Sequence, residues 1–137
     1  MVEGLVTLRS QHPPKETADR LVAVVVSHGM TVVARVDHAA AAAKVGLDLQ
    51  PTEVLIFGNP RAGTLLMQTA QTIGIDLPLK ALVWQDDTGV VSISYQDLGW
   101  LANRHGIAST IQPTIEKMAS LLKMLAEEAA GDIDQSK

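Results

Sequence analysis

Four histidines (His12, His28, His38 and His105) and no cysteine set the chemical limits of this chain. Without thiols there is no disulfide, thiolate nucleophile, iron–sulfur cluster or cysteine-ligated zinc. No H-x-x-x-H or H-E-x-x-H spacing places two imidazoles on one helical turn. A two-His, one-carboxylate site would need Asp37 and His38 to meet His105 through the fold. The local reading has Asp37 capping a helix and His38 bonding nearby, and no metal is expected. No serine sits in a G-x-S-x-G elbow, so Ser/His/Asp catalysis has no support along the chain. The adjacent pair Asp86-Asp87 belongs to turn chemistry.

The most suggestive stretch is Asn59-Pro60-Arg61-Ala62-Gly63-Thr64. A strand that ends in such a turn before a helix presents free backbone N–H groups, which favour anions. Arg61 could clamp the anion and Thr64 could donate a hydroxyl. It is not a P-loop, because no lysine precedes Thr64. The local alternative is a helix capped by Asn59, started by Pro60 and closely packed at Gly63. Arg61 opposes the dipole of its own helix, so it needs an anionic partner: a ligand, or a carboxylate such as Asp37 or Asp76. Lys80 could contact a phosphate or carboxylate, or end a strand in solvent. Trp84 and Tyr95 could face each other across a hairpin, as pocket lining or as core.

These residues need elements to hold them. Val2, Gly4, Val6 and Leu8 alternate with polar neighbours and predict a strand over 2–9. Pro13-Pro14 stops it, and Ala18, Leu21, Val22 and Val25 mark the apolar stripe of a helix over 14–28. Val32, Ala34 and Val36 predict a second strand, followed by an alanine helix from His38, capped by Asp37 and ended by Gly46. The continuously apolar Val54-Leu55-Ile56-Phe57 predicts an interior strand covered on both faces. A helix over 65–73 follows the Asn59 turn. Residues 81–84 and 90–95 form a hairpin. Asp97 caps a short helix through Arg104-His105. Ile111, Ile115, Met118, Leu122, Leu125 and Ala129 stripe a long final helix begun near Pro113. The order predicts one α+β domain over residues 1–130 with a mostly antiparallel sheet packed by helices, and a polar, flexible tail over 131–137.

The chain has 137 residues, 47% apolar and 19% charged, which fits one domain with a real core. Its 11 Lys and Arg against 15 Asp and Glu leave a net charge of -4. That is the wrong sign for a general binder of nucleic acid or anionic membrane. No run is long and apolar enough to span a bilayer, and the N-terminal segment has no secretory pattern, so a cytoplasmic protein is expected. Amphipathic helices and a mean hydropathy of +0.17 predict a homodimer.

Several segments carry a resemblance. They are Asp37-His38-Ala39, Val45-Gly46-Leu47, Pro51 to Pro60, Gly63-Thr64 and Leu66-Met67, then Asp76-Leu77-Pro78-Leu79-Lys80, Val83-Trp84, Asp86, Ser94-Tyr95 and Leu101 to Gly106. Spaced along one chain from about 31 to 107, this set resembles a bacterial and archaeal family known as domain of unknown function 302. Gln96 stands where that pattern often carries Asn. The resemblance implies a β-α-β(4)-α fold, similar to the TATA-binding-protein fold, and a homodimer. It brings no reaction, cofactor or catalytic residue.

The leading expectation is a ligand-binding or sensory module for a small anionic molecule. Its candidate ligand-binding residues are Asp37, His38, Asn59, Arg61, Thr64, Lys80, Tyr95 and His105, polar groups near strand ends. One alternative is an enzyme with a His38 or His105 base, metal-assisted or not. Another is a protein-interaction subunit with no small-molecule site.

Overall fold

A computed structural model describes residues 2–107 and 109–131. The flexible tail expected after residue 130 therefore lies almost wholly outside the described residues. Strand β1 (Leu5–Arg9) leads to helix α1 (Pro14–Ser27), strand β2 (Thr31–Asp37) and short helix α2 (His38–Lys44). Strand β3 (Thr52–Gly58), helix α3 (Pro60–Thr69) and a 3-10 turn (Gln71–Ile75) follow. The chain then runs through β4 (Leu79–Gln85), β5 (Val91–Gln96), α4 (Leu98–Arg104), a second 3-10 turn (Ser109–Ile111) and α5 (Gln112–Ala130).

The strands form a five-stranded sheet in the order β1-β5-β4-β3-β2. Every pairing is antiparallel. With the short helices α2, α3 and α4 set aside, the order is β-α-β(4)-α, so the expected α+β class holds.

One face of the sheet makes the core. Leu55, Phe57, Leu79, Ala81, Val83, Ile93 and Tyr95 are buried on it with Leu21 and Val25 of α1 and Leu122 and Leu125 of α5. The α5 stripe read from the sequence is buried at Ile115, Met118, Leu122, Leu125 and Ala129. Arg20 locks the two helices together: Nε donates to the Ala129 carbonyl at 2.9 Å and Nη2 to the Glu128 carbonyl at 3.0 Å. A guanidinium there also answers the negative end of the α5 dipole. Arg35 ties α1 to the sheet through Asp19, at 2.8 Å, and Glu53.

The other face carries Val36, Val54, Ile56, Leu82 and Trp84, which register places side by side. They are half-buried or exposed. This corrects two expectations. β3 is an interior strand, but among the described residues only its helix side is fully covered, with Leu55 and Phe57 buried and Val54 and Ile56 half-buried. Trp84 and Tyr95 are not cross-strand neighbours either, since Trp84 pairs with Ser92 and Tyr95 with Ala81. Tyr95 faces the helices, whereas Trp84 donates across the open face from Nε1 to Ser94 Oγ at 2.9 Å.

Element boundaries also differ: β1 begins at Leu5, not at residue 2. Helix α3 starts at Pro60, as the Asn59-cap reading has it and five residues before the apolar run, and ends at Thr69, shortly before the 3-10 turn. The Asp86-Asp87 hairpin tip is a turn as expected, with Asp86 Oδ1 accepting from Thr88 and Val90 N–H groups.

Gly4 closes the edge of the sheet onto α4. Its φ is +79°, and a Cβ there would lie 2.6 Å from the Trp100 ring. Gly4→Ala combines a left-handed backbone with overpacking, so it should cost about 2–4 kcal/mol. Urea unfolding measures this, and a variant as stable as the wild type would contradict the packing described.

Candidate functional site

The sheet has a chemically rich end, where β3 and β5 finish and β4 begins. At this end a cleft of about 670 Å³ opens between α3 and α5. Its floor is Gly58, Leu79, Met30 and Thr31, its one wall Asn59 to Leu65 with Met67, and its other wall Thr114, Lys117, Met118 and Leu121. Leu77 and Pro78 complete it. The volume suits a small organic molecule. The lining is mainly apolar, and its basic side chains are Arg61, Lys117 and His28.

The cleft's first wall follows from local rules. Asn59 caps α3, its Oδ1 accepting from the Arg61 N–H at 2.9 Å, and Pro60 occupies the first turn. The cap thus forms as the local alternative required, yet it leaves the Arg61 side chain to be explained. Neither carboxylate offered as its partner serves it. Asp37 accepts from the Ala40 N–H at 2.8 Å, and Asp76 bonds elsewhere. Among the described residues Arg61 and Lys117 form no ion pair. His28 Nε2 lies 3.3 Å from Glu128 Oε1.

A second cluster centres on Asp76, between the 3-10 turn and β4. His105 Nε2 lies 2.6 Å from Asp76 Oδ2, and its Nδ1 lies 2.8 Å from Thr72 Oγ1. Arg104 Nη1 donates to both Asp76 oxygens, at 3.1 and 3.0 Å. The Asp76 carbonyl accepts from Lys80 Nζ and Gln96 Nε2, each at 3.2 Å. Among the described residues Gln96 Oε1 is buried without a hydrogen-bond partner. Burial lowers the pKa of Lys80, partly offset by the Asp76 charge.

The eight residues chosen from the sequence therefore divide. Asn59, Arg61 and Thr64 line the cleft. Lys80 and His105 meet at Asp76. Tyr95 is buried on the helix side, where burial and the charges of Glu127 and Asp97 raise its pKa. Asp37 and His38 lie at the opposite end of β2, whose Thr31 end pairs with Gly58. That is roughly 20 Å away at about 3.3 Å per residue. One pocket holding all eight does not form. Nor do Asp37, His38 and His105 meet: among the described residues no group of three His, Cys, Asp or Glu could hold a metal ion.

Sequence reading missed Lys117, Thr72 and Arg104. For Lys117 a signal existed, since Thr114, Lys117, Met118 and Leu121 fall at i, i+3, i+4 and i+7 on one helix face. Thr72 and Arg104 join the site only through Asp76 and His105, which are distant in sequence and leave no local spacing to read.

Comparison with known proteins places these features. The family model described as domain of unknown function DUF302 matches residues 6–125. Proteins named fluoride-specific ion channel FluC 1 in Brucella suis biovar 1 (strain 1330) and Brucella abortus biovar 1 (strain 9-941) are 46% identical over 129 residues. The match covers 94% of this chain but 51% and 48% of theirs, so the chain spans about half their length. The crystal structure of a conserved DUF302 protein from Bacillus stearothermophilus superimposes with a TM-score of 0.82 at 19% identity. That likeness covers 93% of this chain and 99% of the other, and it shows a shared fold.

Lys80 yields a pH prediction. Between its lowered folded pKa and the ordinary value of 10.5, the unfolded chain holds a proton that the folded protein has released. Stability contributed by this group therefore rises with pH in that window. Tyr95 acts oppositely above 10.0, because its folded pKa is raised. Urea unfolding of wild type and Lys80→Met between about pH 8 and 11 isolates the lysine. Wild type should gain on the variant as pH rises, and a constant difference would contradict the burial of the ammonium.

Proposed function

Since the chain belongs to the DUF302 family, whose description carries no activity, we propose a function from the cleft: binding of a small amphipathic anion. The observation behind this reading is an apolar cleft whose lining includes two cations, Arg61 and Lys117, that form no ion pair among the described residues. An apolar body would displace water from Met30, Leu77, Met118 and Leu121, at about 25 cal/mol per Å² buried. A carboxylate, sulfonate or phosphate head would then meet Arg61 and Lys117, and the guanidinium would bind it through two parallel hydrogen bonds.

The names of the Brucella relatives raise fluoride as a ligand. The cleft argues for something else, since about 670 Å³ of mainly apolar space offers a small, strongly hydrated ion little in exchange for its water. Among the described residues no helix is long and apolar enough to cross a membrane. We assign the channel activity of those longer proteins to the half outside the match, and to the matched half a sensory, ligand-binding role. The same role serves this chain.

The working form we propose is a homodimer. The open sheet face, with Val36, Val54, Ile56, Leu82 and Trp84, supports it, as do the exposed Val45, Leu47 and Leu49 beyond α2. Apolar surface of this extent favours a second copy over water. Sedimentation equilibrium at micromolar concentration should return twice the chain mass, and a monomer would sink the dimer.

Thermal shift tests the ligand. Decanoate should raise the melting temperature more than either decanol, which lacks the charge, or inorganic phosphate, which lacks the tail. Arg61→Gln and Lys117→Gln should each weaken the decanoate effect while leaving the ligand-free protein as stable or slightly more so. Equal shifts with decanol, or a full decanoate shift in both variants, would refute the reading.

A further inference from the structure

We propose that Thr72 is a nucleophilic hydroxyl, with His105 as its general base, able to accept an acyl group from an activated ester. The site is separate from the cleft, whose lining includes neither Thr72, His105 nor Asp76. Its warrant is a chain of two short contacts: Thr72 Oγ1 to His105 Nδ1 at 2.8 Å, and His105 Nε2 to Asp76 Oδ2 at 2.6 Å. Nucleophile, base and orienting carboxylate stand in hydrogen-bond sequence, with Nδ1 facing the hydroxyl and Nε2 the carboxylate, the reverse of the serine-protease arrangement.

Burial divides the roles. The imidazole is only 7% exposed and the Asp76 carboxylate 15%, so the base is shielded from bulk water. Thr72 is exposed, so an incoming carbonyl can reach its hydroxyl. An ionised carboxylate only accepts, and it therefore places the ring proton on Nε2 and leaves the Nδ1 lone pair facing Thr72. Arg104, bonded to both oxygens of Asp76, stops that carboxylate from turning away and brings a permanent positive charge to the site. Asp76 acts through the ring and is a positioning residue.

The chemistry closes on water alone. As Oγ1 bonds to the ester carbonyl carbon, its proton passes to His105 Nδ1. The tetrahedral intermediate collapses, the C–O bond to the leaving group breaks, and that group departs with the electron pair. The imidazolium gives up its proton to the leaving group or to solvent. A water that gives a proton to the same nitrogen then attacks the acyl carbon; the C–Oγ1 bond breaks, the imidazolium returns the proton to Oγ1, and the free acid leaves and ionises to the carboxylate.

The probe is p-nitrophenyl acetate with the full chain, following p-nitrophenolate release and mapping acetylated peptides after acid quench. Wild type should carry an acetyl group on Thr72 and release p-nitrophenolate in a burst. Thr72→Val should lose both and Thr72→Ser retain both. His105→Gln should acylate at least about a hundredfold more slowly. In Asp76→Asn the new amide donates to Nε2 and moves the ring proton to Nδ1, which blocks acceptance from Thr72. Loss of the Nε2-protonated signature in ¹⁵N NMR should accompany loss of labelling. Acetyl groups confined to lysines, with equal p-nitrophenolate release from wild type and Thr72→Val, would overturn the proposal even if His105→Gln failed to fold. Unchanged Thr72 labelling in folded His105→Gln would overturn it as well.

Discussion

Asp76 holds one end of the sheet together. Its carboxylate takes Arg104 and His105 from the end of α4, and its carbonyl takes Lys80 and Gln96 from two neighbouring strands. A polar group placed in this partly buried position needs such partners to offset its lost hydration. With Asp76 fixed, the residues after it are fixed too, and Leu77, Pro78 and Leu79 form part of the cleft. One residue thus supports the cleft from behind and sets the orientation of an imidazole on its other side.

The fold could largely be read from the chain because its determinants are local. The Asp37, Asn59 and Asp97 caps form at the positions read from residue type, with each side chain accepting a helix N–H. Ala18, Leu21 and Val25 of the α1 stripe and Ile115 to Ala129 of the α5 stripe are buried, with Val22 and Ile111 half-buried beside them. What failed was whatever depended on layers. An apolar run such as Val54 to Phe57 looks the same whether one face is covered or two, and only the number and placement of helices decides. At α3 the two readings of the sequence separate: the apolar run that opens at Leu65 places the start too late, whereas the Asn59 cap and Pro60 mark it where it is.

The site was legible by halves. Asn59, Arg61 and Thr64 were visible because turn, cap and helix start lie together in sequence, and an uncompensated arginine beside a helix start is a local anomaly. Asp37 and His38 were chosen by the same rule, but β2 carries them to the far end of the sheet. Lys80 and His105 do meet, through an aspartate that the sequence offered instead to Arg61. Long-range partnership of that kind is set by strand order, which no spacing along the chain reveals. Family membership adds the shape of the scaffold, and the proposed binding rests on the residues of the cleft themselves.

The central claim is that the cleft between α3 and α5 is where a ligand with an apolar body and an anionic head binds. Amide chemical-shift mapping with decanoate tests it most directly, because it locates binding without presuming a variant. The account predicts saturable shifts concentrated at residues 58–65, 77–79 and 114–121, with the Arg61 and Lys117 side-chain signals among the most affected. Shifts centred instead on Val54, Leu82 and Trp84 of the open sheet face, or no saturable shifts at all, would contradict it.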